Sequence, residues 1–303
     1  MKRKSIQSIC IILLVLGATA AQAGAAVFTV GKNGEENYSS IQEAVNNAQS
    51  GDTIIVSPGV YWENVNVGKQ LSIISSSEQS GDMMNRTYVI GATPANDVFS
   101  VSSDNVTISG FHIIGGPGMD TYEAGIYLDG VQNCSLHNNT LVLNNAGINL
   151  NNSKRNFLYN NFIGLGFIGI LLTGSNENRL SDNEVMTNSQ GILLDKSANN
   201  ILTNNSLYMN KFGIYLNTSS GNAIYQNKFS NFQNALDEGT NTWNSSSAGN
   251  LWDDYKGNDT DGNGIGDTPY VVNETTKSID YMPLANNVSS NNIQESMSGN
   301  NNT

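Results

Sequence analysis

The chain has 303 residues, 14 Lys+Arg against 26 Asp+Glu, and a formal net charge of −12. Charged residues make up 13%, about half the usual share of roughly 25%, and 47 asparagines with 30 glycines take their place. A hydrophobic share of 38% excludes disorder throughout, and the lack of any basic cluster beyond the first four residues excludes nucleic-acid binding as a main role.

Lys2, Arg3 and Lys4 precede an apolar run from Ile9 to Leu16 and then Ala21-Gln22-Ala23. This order predicts a secretory signal peptide over residues 1–23, its apolar part being shorter than the ~20 residues a membrane span needs. Export would place the protein in the periplasm, at the cell surface or outside the cell. Cleavage would remove Cys10 and leave Cys134 alone, without an intrachain disulfide partner. In segment 24–52, Ser40-Ile41-Gln42-Glu43 reads as a capping box opening a helix with Ile41, Ala44, Val45 and Ala48 on one face. Gly51-Asp52 ends it, and Thr53–Val56 begins a strand.

From there a repeat dominates. Gly125-Ile126-Tyr127-Leu128 recurs as Gly147-Ile148-Asn149-Leu150, Gly169-Ile170-Leu171-Leu172, Gly191-Ile192-Leu193-Leu194 and Gly213-Ile214-Tyr215-Leu216, always 22 residues on. Asn139, Asn161, Asn183, Asn205 and Asn227 form a second column. Leu136, Leu158, Leu180, Leu202 and Ile224 form an apolar third. Each repeat holds short apolar-x-apolar pieces, the strand period of two, separated by Asn, Ser and Gly turn formers. Three strands and three turns in about 22 residues predict an all-β fold: a right-handed, single-stranded parallel β-helix with three sheets, spanning 53–234. Stacking would set equivalent residues ~4.8 Å apart, so that the asparagines form hydrogen-bonded ladders with a structural role. The helix of segment 24–52 is expected to cap one end, residues 235–284 the other, and the Asn/Ser-rich stretch 285–303 to be disordered.

The stretch Tyr38–Tyr61, with its IQEAV helix and GDTIIVSPGVY turn, resembles the entry of pectin-lyase-like β-helices. With the GI-x-L repeats and Gly249-Asn250-Leu251-Trp252-Asp253-Asp254-Tyr255, the chain is similar to the NosD-like group over about residues 27–284. That resemblance implies repeats of the carbohydrate-binding and sugar-hydrolase type, and a family name tied to periplasmic copper. It is specific for fold and poor for function, because one scaffold carries many activities.

Four sets of residues are candidates for chemistry. Asp259, Asp261, Asn263, the Ile265 carbonyl and Asp267 follow the spacing of a calcium loop, although Tyr270 replaces the bidentate glutamate, and calcium there would pin the C-terminal cap. His112, Cys134 and His137 are the residues to consider for copper, but Cys134 stands in a turn column otherwise held by asparagines. Asp182, Glu184 and Arg179 are the best cluster for a polysaccharide lyase, hydrolase or epimerase, with a solvated turn the simpler explanation. Asp129 and Asp195, three rungs and about 14 Å apart, are too distant for a glycosidase pair, which needs roughly 5–9.5 Å. Outward-facing Tyr127, Tyr215, Tyr208 and Tyr225 suit stacking on sugars. The sequence thus predicts a monomeric exported protein, without a membrane span after cleavage, that binds a glycan or an envelope protein through a sheet face. Catalysis and NosD-type copper handling are the alternatives.

Overall fold

A computed structural model describes residues 24–77, 85–93, 95–115 and 123–285. The expected signal peptide at 1–23 and nearly all of the expected disordered tail lie outside these residues. The chain winds as a β-solenoid whose strands form three parallel sheets. The first sheet has nine strands, from Val27–Val30 to Ala223–Tyr225. The second has nine, from Gly59–Trp62 to Leu251–Trp252, and the third eight, from Val65–Val67 to Gln233–Asp237.

The 22-residue period is the pairing register. In the third sheet Ile126 pairs with Ile148, Ile170, Ile192 and Ile214 in succession, and all five are fully buried. Leu136, Leu158, Leu180, Leu202 and Ile224 do the same in the first sheet. Each such side chain contributes roughly 1.5–3 kcal/mol by leaving water. The glycine opening each GI-x-L strand is demanded by close approach: a Cβ on Gly169 would lie 2.5 Å from the carbonyl oxygen of Gly191 on the next coil.

Corners between sheets are closed by amide ladders. The backbone N–H of Asn161 donates to Oδ1 of Asn183 at 3.1 Å. Its Nδ2 donates to the same oxygen at 2.9 Å and to the Leu136 carbonyl at 2.9 Å. The pattern runs unbroken from Asn139 to Asn227. A second ladder links Asn156, Asn178, Asn200 and Asn222, starting from the N–H of Cys134. A third joins Asn188, Asn210 and Asn231, and a fourth uses the hydroxyls of Ser153, Ser175, Ser197 and Ser219. The residue before each rung of the first ladder, such as Asn160, Asp182 or Asn204, has φ between 53° and 59°, the left-handed geometry that lets the chain turn sharply.

Both ends are closed. Helix Ile41–Asn47 lays Ile41, Ala44 and Val45 on the core, with Ser40 accepting from the Glu43 N–H. The return half of the capping box is supplied by Glu63, which accepts from the Ser40 hydroxyl and the Ile41 and Gln42 N–H groups at 2.8–3.0 Å. At the other end Phe229, Trp252 and Tyr270 stack with ring centroids 4.3 and 4.2 Å apart. Buried Asp280 accepts from Trp252 Nε1 and the Asn250 N–H, and buried Asp237 accepts from Trp243 Nε1.

Truncating a middle rung tests the ladder. Asn183→Ala strips partners from the two Asn161 donors and the Leu158 carbonyl. It is expected to cost about 1–3 kcal/mol per group left unpaired. Asn183→Asp, which cannot donate to Leu158 or Asn205, should melt lower still at neutral pH. Thermal melts by circular dichroism read both, and an aspartate variant as stable as the parent would contradict the account.

Candidate functional site

Period-two alternation aims every second residue of the third sheet outward. Tyr127, Asn149, Leu171, Leu193 and Tyr215 are consecutive register partners. They form the floor of an open groove of about 500 Å³. Four rungs separate the two tyrosines, about 19 Å at the usual strand spacing. Along one side runs the column Asn151, Thr173, Asp195 and Asn217, and on the other stand Phe167, Ile168 and Gln190. Phe167 keeps half of its surface exposed.

The polar groups here are arranged unequally. Asn151 donates to Asp129 and Asn217 to Asp195, while the Tyr215 hydroxyl donates to Glu238 at 3.0 Å. Burial holds the hydroxyls of Tyr127 and Tyr215 protonated to higher pH than a free phenol, as do the adjacent carboxylates. Asn149, only 9% exposed, has a side-chain oxygen with no hydrogen-bond partner, and so does Gln190. Two orphaned carbonyls in one groove are unusual, since buried polar atoms are nearly always paired.

The other two tyrosines named above face elsewhere. Tyr225 lies in the first sheet and Tyr208 in the second, where its hydroxyl donates to Glu184. Glu184 is therefore engaged with the next coil. Asp182 sits in a left-handed turn between sheets, and Arg179 at the exposed start of a first-sheet strand. These three residues frame a corner and line no cavity with the tyrosine groove.

In the acidic loop the side-chain oxygens accept from the loop's own N–H groups. Asp259 accepts from the Asn263 and Gly264 N–H groups, and Asp261 from the Asn263 N–H and Nδ2. The Asn263 oxygen takes the Ile265 N–H, and Asp267 takes the N–H and hydroxyl of Thr260. Among the described residues no three His, Cys, Asp or Glu side chains gather to hold a metal. Asp237 and Asp280 pin the C-terminal cap by accepting from Trp243 and Trp252.

A pair that sequence reasoning passed over lies further up the same sheet face. Asp97 and Glu123 line a cavity of about 490 Å³ with Asn64, Asn66 and Ser100. Asp97 accepts from the Ala124 N–H at 2.7 Å, and burial raises its carboxyl above the ordinary range. One Glu123 oxygen is buried without a partner. The two fall outside the regular period, at the coil that precedes residue 124, so no column revealed them.

An elongated β-solenoid with an aromatic-ended groove on one sheet defines the class. The chain belongs to the NosD family: residues 45–257 match the family described as periplasmic copper-binding protein (NosD). It is 32% identical over 137 residues to a cell surface glycoprotein of Methanothermus fervidus, covering 44% of this chain and 20% of that one. The chain thus spans a fifth of that relative's length. Among solved structures, DFA-IIIase from Arthrobacter chlorophenolicus A6 in complex with DFA-III aligns with a TM-score of 0.58 at 15% identity, covering 75% of this chain and 67% of that one. A second structure of that enzyme is covered over 63% of its length. Polygalacturonase from Erwinia carotovora ssp. carotovora aligns with a TM-score of 0.53 at 13% identity, over 76% and 72%. At such identities these likenesses show the fold alone.

The copper of the family name finds no matching donor set among the described residues. The Cys134 thiol is buried against the Ser103 and Gln132 carbonyls, and burial pushes it up to about 11. His137 stacks on Tyr159, and His112 packs on Tyr88, where burial and Arg86 lower its basicity. Cys134 serves as the first rung of an amide ladder. It should therefore resist iodoacetamide in the native protein at pH 8 and react fully once unfolded, a contrast readable by mass spectrometry. Rapid native labelling would show the thiol to be reachable.

Proposed function

We propose that the protein is an exported, monomeric envelope component that binds a glycan in the tyrosine-ended groove of the third sheet without transforming it. One observation carries the reading: aromatic rings at both ends of a solvent-open groove whose wall carries the polar side chains of Asn151, Thr173 and Asn217. Aromatic faces stack on sugar rings, and amide and hydroxyl side chains hydrogen-bond to their hydroxyls. Family membership and the likeness to a cell surface glycoprotein support an envelope location. No helix among the described residues is long and apolar enough to cross a membrane.

Loss of either ring should weaken binding while leaving the fold intact. Tyr127→Ala and Tyr215→Ala are each expected to lower affinity about 5- to 10-fold, or ~1–1.4 kcal/mol, in glycan-array titrations. Tyr225→Ala, on the first sheet, should have no effect. Equal losses at all three positions would overturn the assignment of the groove. A second reading, a polysaccharide-active enzyme, is favoured by the Asp97–Glu123 cavity on the same face. It requires product formation that Asp97→Asn abolishes, whereas a binding protein keeps its affinity in that variant and releases no product.

A further inference from the structure

The groove's electrostatics restrict which sugars it accepts. Asp195 lies in its wall, Asp129 beside Tyr127 at one end and Glu238 against Tyr215 at the other. Among the described residues that line it there is no lysine or arginine. Lys211, nearest along the apolar edge, lies over the Phe212 ring outside the lining, and Lys196 follows Asp195 in the turn beyond the strand. An anionic chain laid along the floor would meet three carboxylates without a compensating cation. A neutral chain brings hydroxyl donors and no charge.

We infer that the groove selects uncharged, hydroxyl-rich glycans and rejects polyuronates, because Asp195 in its wall and Asp129 and Glu238 at its ends face no lysine or arginine in the lining. This rests on the glycan-binding reading above and narrows it. Like charges held near one another in a partly desolvated groove add a repulsion that salt weakens.

The test uses the full chain and two matched panels, neutral hexasaccharides (cellohexaose, mannohexaose, xylohexaose) and oligouronates (hexagalacturonate, hexamannuronate), titrated calorimetrically at low and high salt. At least one neutral chain should bind, with every uronate at least about 30-fold weaker at low salt and the gap narrowing at high salt. The variant Asp129→Asn/Asp195→Asn should gain uronate binding at low salt. Melting temperatures of parent and variant separate lost recognition from lost folding. Uronates that bind as tightly as the neutral panel would overturn the selectivity while leaving glycan binding in place. Binding of neither panel, with the parent protein folded, would overturn the glycan reading and this inference with it.

Discussion

Every coil of this molecule depends on hydrogen bonds that side chains make along the solenoid axis. Backbone pairing alone holds strands together, but it leaves the corners, where the chain leaves one sheet for the next, with unpaired amides and carbonyls. Asparagine resolves this because its amide both accepts and donates: each rung takes two hydrogens from the coil before and gives its own to the coil after and to a carbonyl. Aspartate could not donate, and a column of like charges ~4.8 Å apart would repel. The scarcity of charge and the abundance of asparagine are one fact seen twice.

The ladders have a direction, and this explains the acidic C-terminal region. Donors point toward higher residue numbers, so each ladder needs a terminal acceptor. The first ends as Asn227 gives to Asn250 and Asn250 gives to Asp280. The second ends through Asn241 on Asp237. The third passes through Asn231 to Asn234, which donates to Asp253 and Asp254. Carboxylates are suited to that position because they accept several donors and need give nothing back. Burial still raises the Asp280 carboxyl, since desolvation there outweighs the donors that surround it.

Much of this was legible in the residues themselves. The 22-residue spacing of Ile126 through Ile214 and of Asn139 through Asn227 encodes register, interior and one ladder. The alternation in Gly-Ile-x-Leu encodes which side chains face out. The serine ladder at Ser153, Ser175, Ser197 and Ser219 was equally periodic but hidden, because serine in a turn carries no pattern beyond composition. The third ladder is harder to see, since Gly166 interrupts its column and Asn231 follows Asn210 by 21 residues rather than 22. The acidic stretch is ambiguous for a physical reason: the spacing that can surround a cation can also accept a turn's own N–H groups. Likewise, Asn149 is informative because Tyr127 and Leu171 flank it on adjacent rungs, a relation no single repeat displays.

The ladders make the solenoid resemble a head-to-tail polymer, with interchangeable middle units and two dedicated ends. A donor-rich start at Cys134 and Val131 and the carboxylate terminators at Asp237 and Asp280 are indifferent to how many rungs lie between them. Insertion or deletion of a whole 22-residue coil preserves every type of junction, and extra length is also accommodated between strands, as the 28-residue step from Phe111 to Asn139 shows. Gene-level slippage between copies therefore adds or removes whole coils. Each added or lost coil lengthens or shortens the tyrosine-ended groove by one strand spacing, so the length of that groove becomes a trait that can evolve without redesigning the protein.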